Sequence, residues 1–177
     1  RGHRLPTCRG MSLINDPPIE KWFSPSGEQV IWDDIKALVQ GLRPDQLWVG
    51  TDSHLVGQSF VFATALVIYK DADNTPDRVR LYYVTRFKVP QKHYGSSKDA
   101  LRRRLMDEVQ SSVSLSLRIV SETGKKPIIH ADLNPSEKYK SGKYAKALQN
   151  YVKGCGFDVE IKPNAWASSV VADKHSK

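Results

Sequence analysis

Three strand-like segments follow one another in the first half of the chain, before any long helical pattern appears. They comprise residues 47–52, 59–69 and 79–89, and the second is almost continuously apolar or small, which is typical of a strand covered on both faces. The segments that join them are polar and carry turn-forming residues, including Gly57 in the first. Consecutive strands joined in this way predict an antiparallel meander, and this prediction limits the fold more than any other feature.

Helical and strand patterns alternate after the meander. The predicted elements, beginning with a helix, are residues 99–123, 126–132, 136–154, 157–162 and 165–175. The strand after the first of these helices should lie parallel to the first strand of the meander, because a helix crosses between them. The complete order is that of the ribonuclease H-like topology. We therefore expect an α/β fold with a mixed five-stranded sheet flanked by helices.

At 177 residues the chain is long enough for one domain with a substantial core. Residues 1–10 suggest an expression tag or an upstream scar, residues 11–45 an N-terminal extension, and residues 46–177 the ribonuclease H-like domain. The extension includes one predicted helix, residues 28–42, which is expected on the outside of the core. No apolar run approaches the roughly 20 residues of a membrane helix. The two cysteines form neither a disulfide framework nor a metal-ligand pair, which favours the cytoplasm.

Two aspartates end the strands that this topology places side by side at its centre. Asp52 ends the first strand and Asp132 ends the fourth, so parallel pairing brings both to one edge of the sheet. Two further acids are predicted to join them, Glu108 from the long helix and Asp173 from the C-terminal segment. We expect these four residues to form one carboxylate cluster with a catalytic function.

Carboxylates that are gathered in this way repel one another, and each would tend to take up a proton. A divalent cation removes this conflict, and Mg²⁺ prefers hard oxygen ligands. Paired ions can activate a water molecule and stabilise the leaving oxygen of a phosphodiester. The predicted cofactor is therefore Mg²⁺ or Mn²⁺, with two ions, held by Asp52, Asp132, Glu108 and Asp173.

The helical pattern distinguishes two neighbouring acids of the long helix. At about 100° per residue, Glu108 lies at the rim of the apolar face that includes Leu105, whereas Asp107 points almost the opposite way. Glu108 is therefore the acid expected to face the sheet. The alternative is a surface ion pair between Glu108 and Arg104.

Three segments carry a family resemblance. The segments 49–53 (VGTDS), 129–132 (IHAD) and 161–177 (IKPNAWASSVVADKHSK) resemble the YkuK-like bacterial family of predicted ribonuclease H-like nucleases. The similarity extends from about residue 22 to the C-terminus. It implies a ribonuclease H-type fold and nuclease activity. Asp52, Asp132 and Asp173 match the acids of its motifs, and Glu108 matches by topology and helix face.

The net charge of +8 favours a polyanionic partner. Without the three arginines of residues 1–10, the chain has 24 basic and 19 acidic residues, which is +5. We expect the partner to be nucleic acid, whether RNA, DNA or a hybrid. The side chains predicted to contact its backbone are Lys88, Lys92, His93, Lys98, Lys138, Lys140 and Lys143. A basic protein without such a partner is the alternative.

Two histidines are candidate auxiliary groups. His130 precedes Asp132 by two residues, so strand alternation would place it on the same face, where it could assist a proton transfer. A purely structural role is the alternative for His130. His175 could be a ligand or a basic group near a phosphate. His54 flanks Asp52 in sequence, and a structural role is favoured for it.

The sequence thus predicts a divalent-metal-dependent nuclease. One alternative is a catalytically inactive module of the same fold that binds nucleic acid or protein, because one fold hosts unrelated functions. A weaker alternative is a nucleotide-binding enzyme of the same fold, similar to the actin-like ATPases. The absence of a glycine-rich phosphate loop after the first hairpin argues against it.

Overall fold

A computed structural model describes residues 20–43, 46–71, 78–136 and 138–177. The expected tag at residues 1–10 and the first part of the N-terminal extension lie outside the described residues. In the described part the helices lie on a single mixed sheet.

The sheet contains seven described strands. They are β1 (Trp22–Phe23), β2 (Gln29–Val30), β3 (Leu47–Val56), β4 (Ser59–Asp71), β5 (Arg78–Pro90), β6 (Ile128–Ala131) and β7 (Val159–Glu160). Their order across the sheet is β2-β1-β5-β4-β3-β6-β7. The predicted α/β class with a mixed sheet is confirmed. The predicted count of five is too low, because β1 and β2 form a small hairpin that pairs with the edge of β5.

The central pair of strands has the predicted direction. β3 pairs antiparallel with β4 and parallel with β6, with Thr51 opposite Ala131. Asp52 and Asp132 each follow one of these two paired residues. The topology therefore brings both aspartates to the same edge of the sheet. β3 itself continues as far as Val56, four residues beyond the predicted end of the strand.

Four α-helices cover the sheet in the described part of the chain. They are α1 (Trp32–Gln40), α2 (Ala100–Thr123), α3 (Gly142–Gly154) and α4 (Asp173–Ser176), and a π-helical stretch, Ala167–Ala172, leads directly into α4. α3 begins six residues later than predicted because the preceding residues form turns closed by backbone hydrogen bonds, from Tyr139 N–H to Ser136 O and from Gly142 N–H to Tyr139 O. α2 ends at Gly124, whose φ of 71° suits glycine.

α1 contributes to the core rather than standing outside it. Ile35 and Val39 are fully buried in one apolar cluster with Trp22, Leu66 and Ile119. The apolar face of α1 thus packs in one cluster with residues of the sheet and of the C-terminal half of α2. The expectation of an external helix is therefore wrong.

None of the helices in the described ranges combines the length and the apolar character that a bilayer span requires. The cytoplasmic location stays a prediction.

Candidate metal centre

β3 presents alternate side chains to two different layers, as the pleat of a strand requires. On the side of α2, Thr51 Oγ1 lies 2.7 Å from Ser112 Oγ. Two residues further along β3, the Ser53 hydroxyl donates a 2.6 Å hydrogen bond to Glu108 Oε1. All four side chains are buried. This side of the strand therefore carries a row of buried polar side chains that extends to Glu108.

The other side of β3 faces the C-terminal segment. Gly50 lies so close to that segment that a Cβ atom at this position would be 2.5 Å from the backbone nitrogen of Ser168. Nearer the end of the strand, Ser176 Oγ lies 3.4 Å from Asp52 Oδ2. The close approach at Gly50 thus allows the segment to bring its last residues to Asp52.

A cluster of two carboxylates and an imidazole forms where the C-terminal segment meets β3. His54 Nδ1 lies 3.2 Å from Asp52 Oδ2, and His54 Nε2 lies 3.5 Å from Asp173 Oδ1. One ligand atom from each of the three residues can be chosen so that all lie within 4.8 Å of one another. A group of side chains with this spacing could hold a metal ion. We refer to these three residues as the Asp-His-Asp cluster.

Asp132 lies beside the end of β6 and has an incompletely satisfied carboxylate. Its Oδ1 atom is buried and accepts no hydrogen bond from the described residues. The Lys162 ammonium lies 2.7 Å from this oxygen, but it does so without hydrogen-bond geometry. We therefore describe the contact as an ion pair. The backbone N–H of Lys162 donates to Leu133 O, which holds the lysine next to Asp132.

The pKa of Asp52 is raised to about 6, mainly because the carboxyl group is buried. His54 opposes this rise electrostatically, whereas the charges of Asp132 and Asp173 add to it, and the backbone N–H of Ser53 lowers the pKa. Asp132 and Asp173 are therefore close enough to Asp52 for their repulsion to be felt. A cation among them would relieve that repulsion.

The pKa of Glu108 is raised to about 8 by complete burial and, next, by the charge of Asp52. The Ser53 hydroxyl and Arg104 lower this pKa, and Asp132 raises it further. Glu108 is only 5% exposed, so its 3.4 Å contact with Arg104 is not the surface ion pair of the alternative interpretation. Asp107 instead accepts a hydrogen bond from Tyr94. Glu108 is thus the acid of α2 that faces the sheet.

A model of the family described as Ribonuclease H-like matches residues 30–177. The chain belongs to this family. The matched region begins in β2 and includes α1 and every residue of the Asp-His-Asp cluster. It is the family that the motifs resembled, whereas a bacterial origin stays a prediction. No curated protein and no solved structure matched the chain.

The ribonuclease H-like fold brings the four predicted acids to one region, but in two groups. Asp52 and Asp173 belong to the Asp-His-Asp cluster. Glu108 and Asp132 line one recess on the other side of β3. The charge of Asp132 raises the pKa of Asp52, and the charge of Asp52 raises the pKa of Glu108. Among the described residues, neither joins the set of ligand atoms within 4.8 Å.

His54 is the member of the cluster that was not among the predicted site residues. The signal available in the sequence was its spacing, because residues 52 and 54 of a strand lie on the same face. The predicted strand ended at Asp52, so strand alternation could not be applied to His54. The structure continues β3 past His54, so the alternation applies.

His130 has a structural environment in this ribonuclease H-like chain. The backbone N–H of Ala167 donates to His130 Nδ1, and Nε2 lies 3.0 Å from Glu160 Oε2. Burial lowers the pKa of His130. With both ring nitrogens engaged, His130 ties β6 to β7 and to the C-terminal segment. The structural alternative describes its contacts better than a proton-transfer role does.

His175 points away from the cluster. Arg86 donates to His175 Nδ1 at 2.9 Å, and Nε2 lies 3.2 Å from the Tyr82 hydroxyl. Burial lowers the pKa of His175, and the charges of Arg86 and Lys174 lower it further. Its contacts anchor α4 to β5, which lies two strands from β3 in the sheet.

The predicted backbone-contacting side chains are all exposed. This set comprises Lys88, Lys92, His93, Lys98, Lys138, Lys140 and Lys143. The first four lie at or after the end of β5, and the last three lie in the turns before α3 or at its start. Their exposure permits contact with a phosphate backbone, and their role stays a prediction.

Proposed function

We propose that this protein is a divalent-metal-dependent nuclease that hydrolyses phosphodiester bonds of RNA or DNA. The observation that carries the proposal is the position of Asp52 and Asp173. In a chain of the ribonuclease H-like family, they lie together beside the parallel pair of β3 and β6, and Asp132 directly follows β6. Membership of the family supports the reaction class, and the cluster supplies ligands for a metal.

The residues present fit a divalent cation. The buried Oδ1 atom of Asp132 has the ammonium of Lys162 as its ion-pair partner and accepts no hydrogen bond within the described part of the chain. Repulsion from neighbouring carboxylates contributes to the raised pKa values of Asp52 and Glu108, and a cation between these groups would relieve that repulsion. Asp52 and Asp132 would hold the metal, Mg²⁺ or Mn²⁺ as one or two ions, with Glu108 and Asp173 in support. The bound metal would activate a water molecule and stabilise the leaving oxygen.

The surrounding side chains hold the acids in place. Arg104 donates to both the backbone carbonyl and the hydroxyl of Ser53, and this hydroxyl in turn donates to Glu108. Glu108 is thereby held in one orientation near Asp52. The Ser176 hydroxyl lies near Asp52 on the opposite side of β3. The exposed lysines beyond β5 and before α3 would bind the nucleic-acid backbone.

One observation favours the alternative, a catalytically inactive module that binds nucleic acid or protein. Two of the four acids already have a lysine partner. Lys162 lies 2.7 Å from Asp132, and Lys177 lies 2.8 Å from Asp173. These ammonium groups could replace a metal as the counter-charge. The side chains of Lys162 and Lys177 are 44% and 60% exposed, so a divalent ion could also displace them.

The experiment that separates the two functions compares the wild type with Asp52→Asn on labelled RNA, DNA and hybrid duplexes. Each reaction contains Mg²⁺, Mn²⁺ or EDTA. We expect cleavage by the wild type only with metal, and cleavage near background for Asp52→Asn. The control is Asp158→Asn, the same change at an exposed aspartate outside the site. Cleavage that survives Asp52→Asn or EDTA would remove the proposal, and no cleavage of any substrate would favour the inactive module.

A further inference from the structure

We propose that His54 supplies a nitrogen ligand at the metal site formed with Asp52 and Asp173, and that this site therefore selects Mn²⁺ or a similar transition-metal ion over Mg²⁺. The inference rests on the proposed metal dependence and specifies the cofactor of that same site. It adds to the oxygen-only ligand set expected from the sequence.

The distances within the cluster suit a single ion. Ligand atoms about 2.1 Å from a metal are about 3 Å apart when they are neighbours and about 4.2 Å apart when they are opposite. His54 Nδ1 lies 3.2 Å from Asp52 Oδ2, and His54 Nε2 lies 3.5 Å from Asp173 Oδ1. One ion binds only one of these nitrogens, and with one ligand atom taken from each residue all three atoms lie within 4.8 Å of one another. Small side-chain rotations would therefore be enough for all three residues to bind one ion.

The position of His54 follows from the backbone rather than from a flexible side chain alone. It lies on β3 two residues after Asp52, so both side chains project from the same face of a continuous strand. Asp173 reaches them because Gly50 lets the C-terminal segment pack closely on that face. Two independent parts of the chain thus bring the ligands together.

Each ring nitrogen of His54 already has a partner. Nδ1 lies 2.7 Å from Ser176 Oγ, and Nε2 faces Asp173. A histidine that binds a metal usually donates its other ring N–H to a neighbouring oxygen, which fixes the ring orientation. Whichever nitrogen binds the ion, the other has such an oxygen nearby. Ser176 is therefore the residue that positions the imidazole when Nε2 is the ligand.

The chemistry of the donor set decides the choice of ion. Mg²⁺ takes oxygen ligands and keeps several waters, whereas imidazole suits transition metals. A site with two carboxylates and one imidazole should therefore bind Mn²⁺ more tightly than Mg²⁺. His130 and His175 have their ring nitrogens engaged elsewhere. His54 is thus the nitrogen donor that the described residues offer at this site.

The test measures metal binding without any reaction. Mn²⁺ and Mg²⁺ affinities are determined by calorimetric titration for the wild type, His54→Gln and the control His93→Gln, which changes an exposed histidine outside the cluster. Pulsed electron paramagnetic resonance of the Mn²⁺-loaded proteins then detects any nitrogen bound to the ion. We expect nitrogen coupling in the wild type and in His93→Gln, and its loss in His54→Gln. Mn²⁺ affinity should fall by about tenfold or more in His54→Gln, with little change for Mg²⁺.

Two results would overturn the inference: no nitrogen coupling in the wild type, or coupling that persists in His54→Gln. The wild-type spectrum is decisive even if the variant fails to fold. The outcome is also separable from the proposed nuclease function. Nitrogen coupling without hydrolysis would support the proposed metal site and contradict the nuclease function. Asp52-dependent hydrolysis without nitrogen coupling would support the nuclease function and contradict the role of His54 as a ligand.

Discussion

The ion pair between Lys162 and Asp132 occupies an oxygen atom that a bound metal would need. The ammonium lies 2.7 Å from a buried carboxylate oxygen, and the lysine side chain is 44% exposed. An incoming cation and this ammonium therefore compete for the same oxygen. Because the lysine can move into solvent, the competition should be weak.

Lys162→Met should strengthen metal binding, because the ion would no longer displace an ammonium group. The lysine side of this ion pair is partly exposed to solvent, which weakens the pair, so we expect Mn²⁺ affinity to rise about two- to fivefold. Calorimetric titration measures the change. The control is Lys153→Met, which alters an exposed lysine of α3 away from the site. Weaker binding in Lys162→Met than in the control would show that the lysine supports the site rather than competes in it.

At the scale of elements, the packing of the C-terminal segment on β3 decides whether the cluster exists. Before α4 the segment forms the π-helical stretch Ala167–Ala172, and it approaches the strand at a position where only glycine fits. Asp173 then depends on this contact for its position near Asp52.

Gly50→Ala should separate the segment from β3. The added methyl group would lie 2.5 Å from Ser168 N and 2.7 Å from Ala167 C, which are backbone atoms that cannot rotate away. We expect a loss of about 3 kcal/mol in the free energy of unfolding, measured with urea, together with weaker Mn²⁺ binding. Gly154→Ala in α3 is the control, because nothing lies within 4 Å of its added carbon. Equal stability of the two variants would contradict the close packing.

α1 offers a second test at this scale, because it is part of the core in the structure. Ile35→Ala would leave a cavity in the buried cluster that also contains Ile119, and we expect it to lower the free energy of unfolding by about 3 kcal/mol. Ile31→Ala, at a residue that is 61% exposed, should change it by about 0.5 kcal/mol or less. If Ile35→Ala lowered the free energy of unfolding no more than Ile31→Ala does, α1 would be an extension outside the core, as the sequence suggested.

At the scale of the whole molecule, the buried acids connect folding stability to pH and to metal. Glu108 has a pKa of about 8 in the folded protein against an ordinary value of 4.5. Between these values the folded state holds a proton that the unfolded state releases. Stability of the metal-free protein therefore falls as the pH rises through this window.

We expect the melting temperature in EDTA to be lower at pH 8 than at pH 5. Saturating Mn²⁺ should raise the melting temperature by more at pH 8 than at pH 5. Differential scanning calorimetry of the wild type and Glu108→Gln measures both effects. Glutamine cannot ionise, so the decline with pH should be smaller in the variant. The same decline in both proteins would show that Glu108 is not the group responsible.

Much of the architecture could be predicted because it depends on local patterns and a few topological rules. Strand-like segments, the apolar face of α2 and the alternation of elements indicated the mixed sheet and the pairing of β3 with β6. These features also placed Asp52 and Asp132 at one edge and turned Glu108 towards the sheet. Each of them follows from the periodicity of a segment or from the order of segments.

Other features were decided only by tertiary structure. His54 joins the cluster, Lys162 pairs with Asp132, and Ala167 binds His130 through contacts between residues far apart in the chain. No local pattern specifies such contacts, because they depend on where the C-terminal segment packs. The sequence by itself determined which strands carry the acids. The packing of that segment against Gly50 decided which side chains meet them, since only close contact between distant backbones brings those groups within ligand distance.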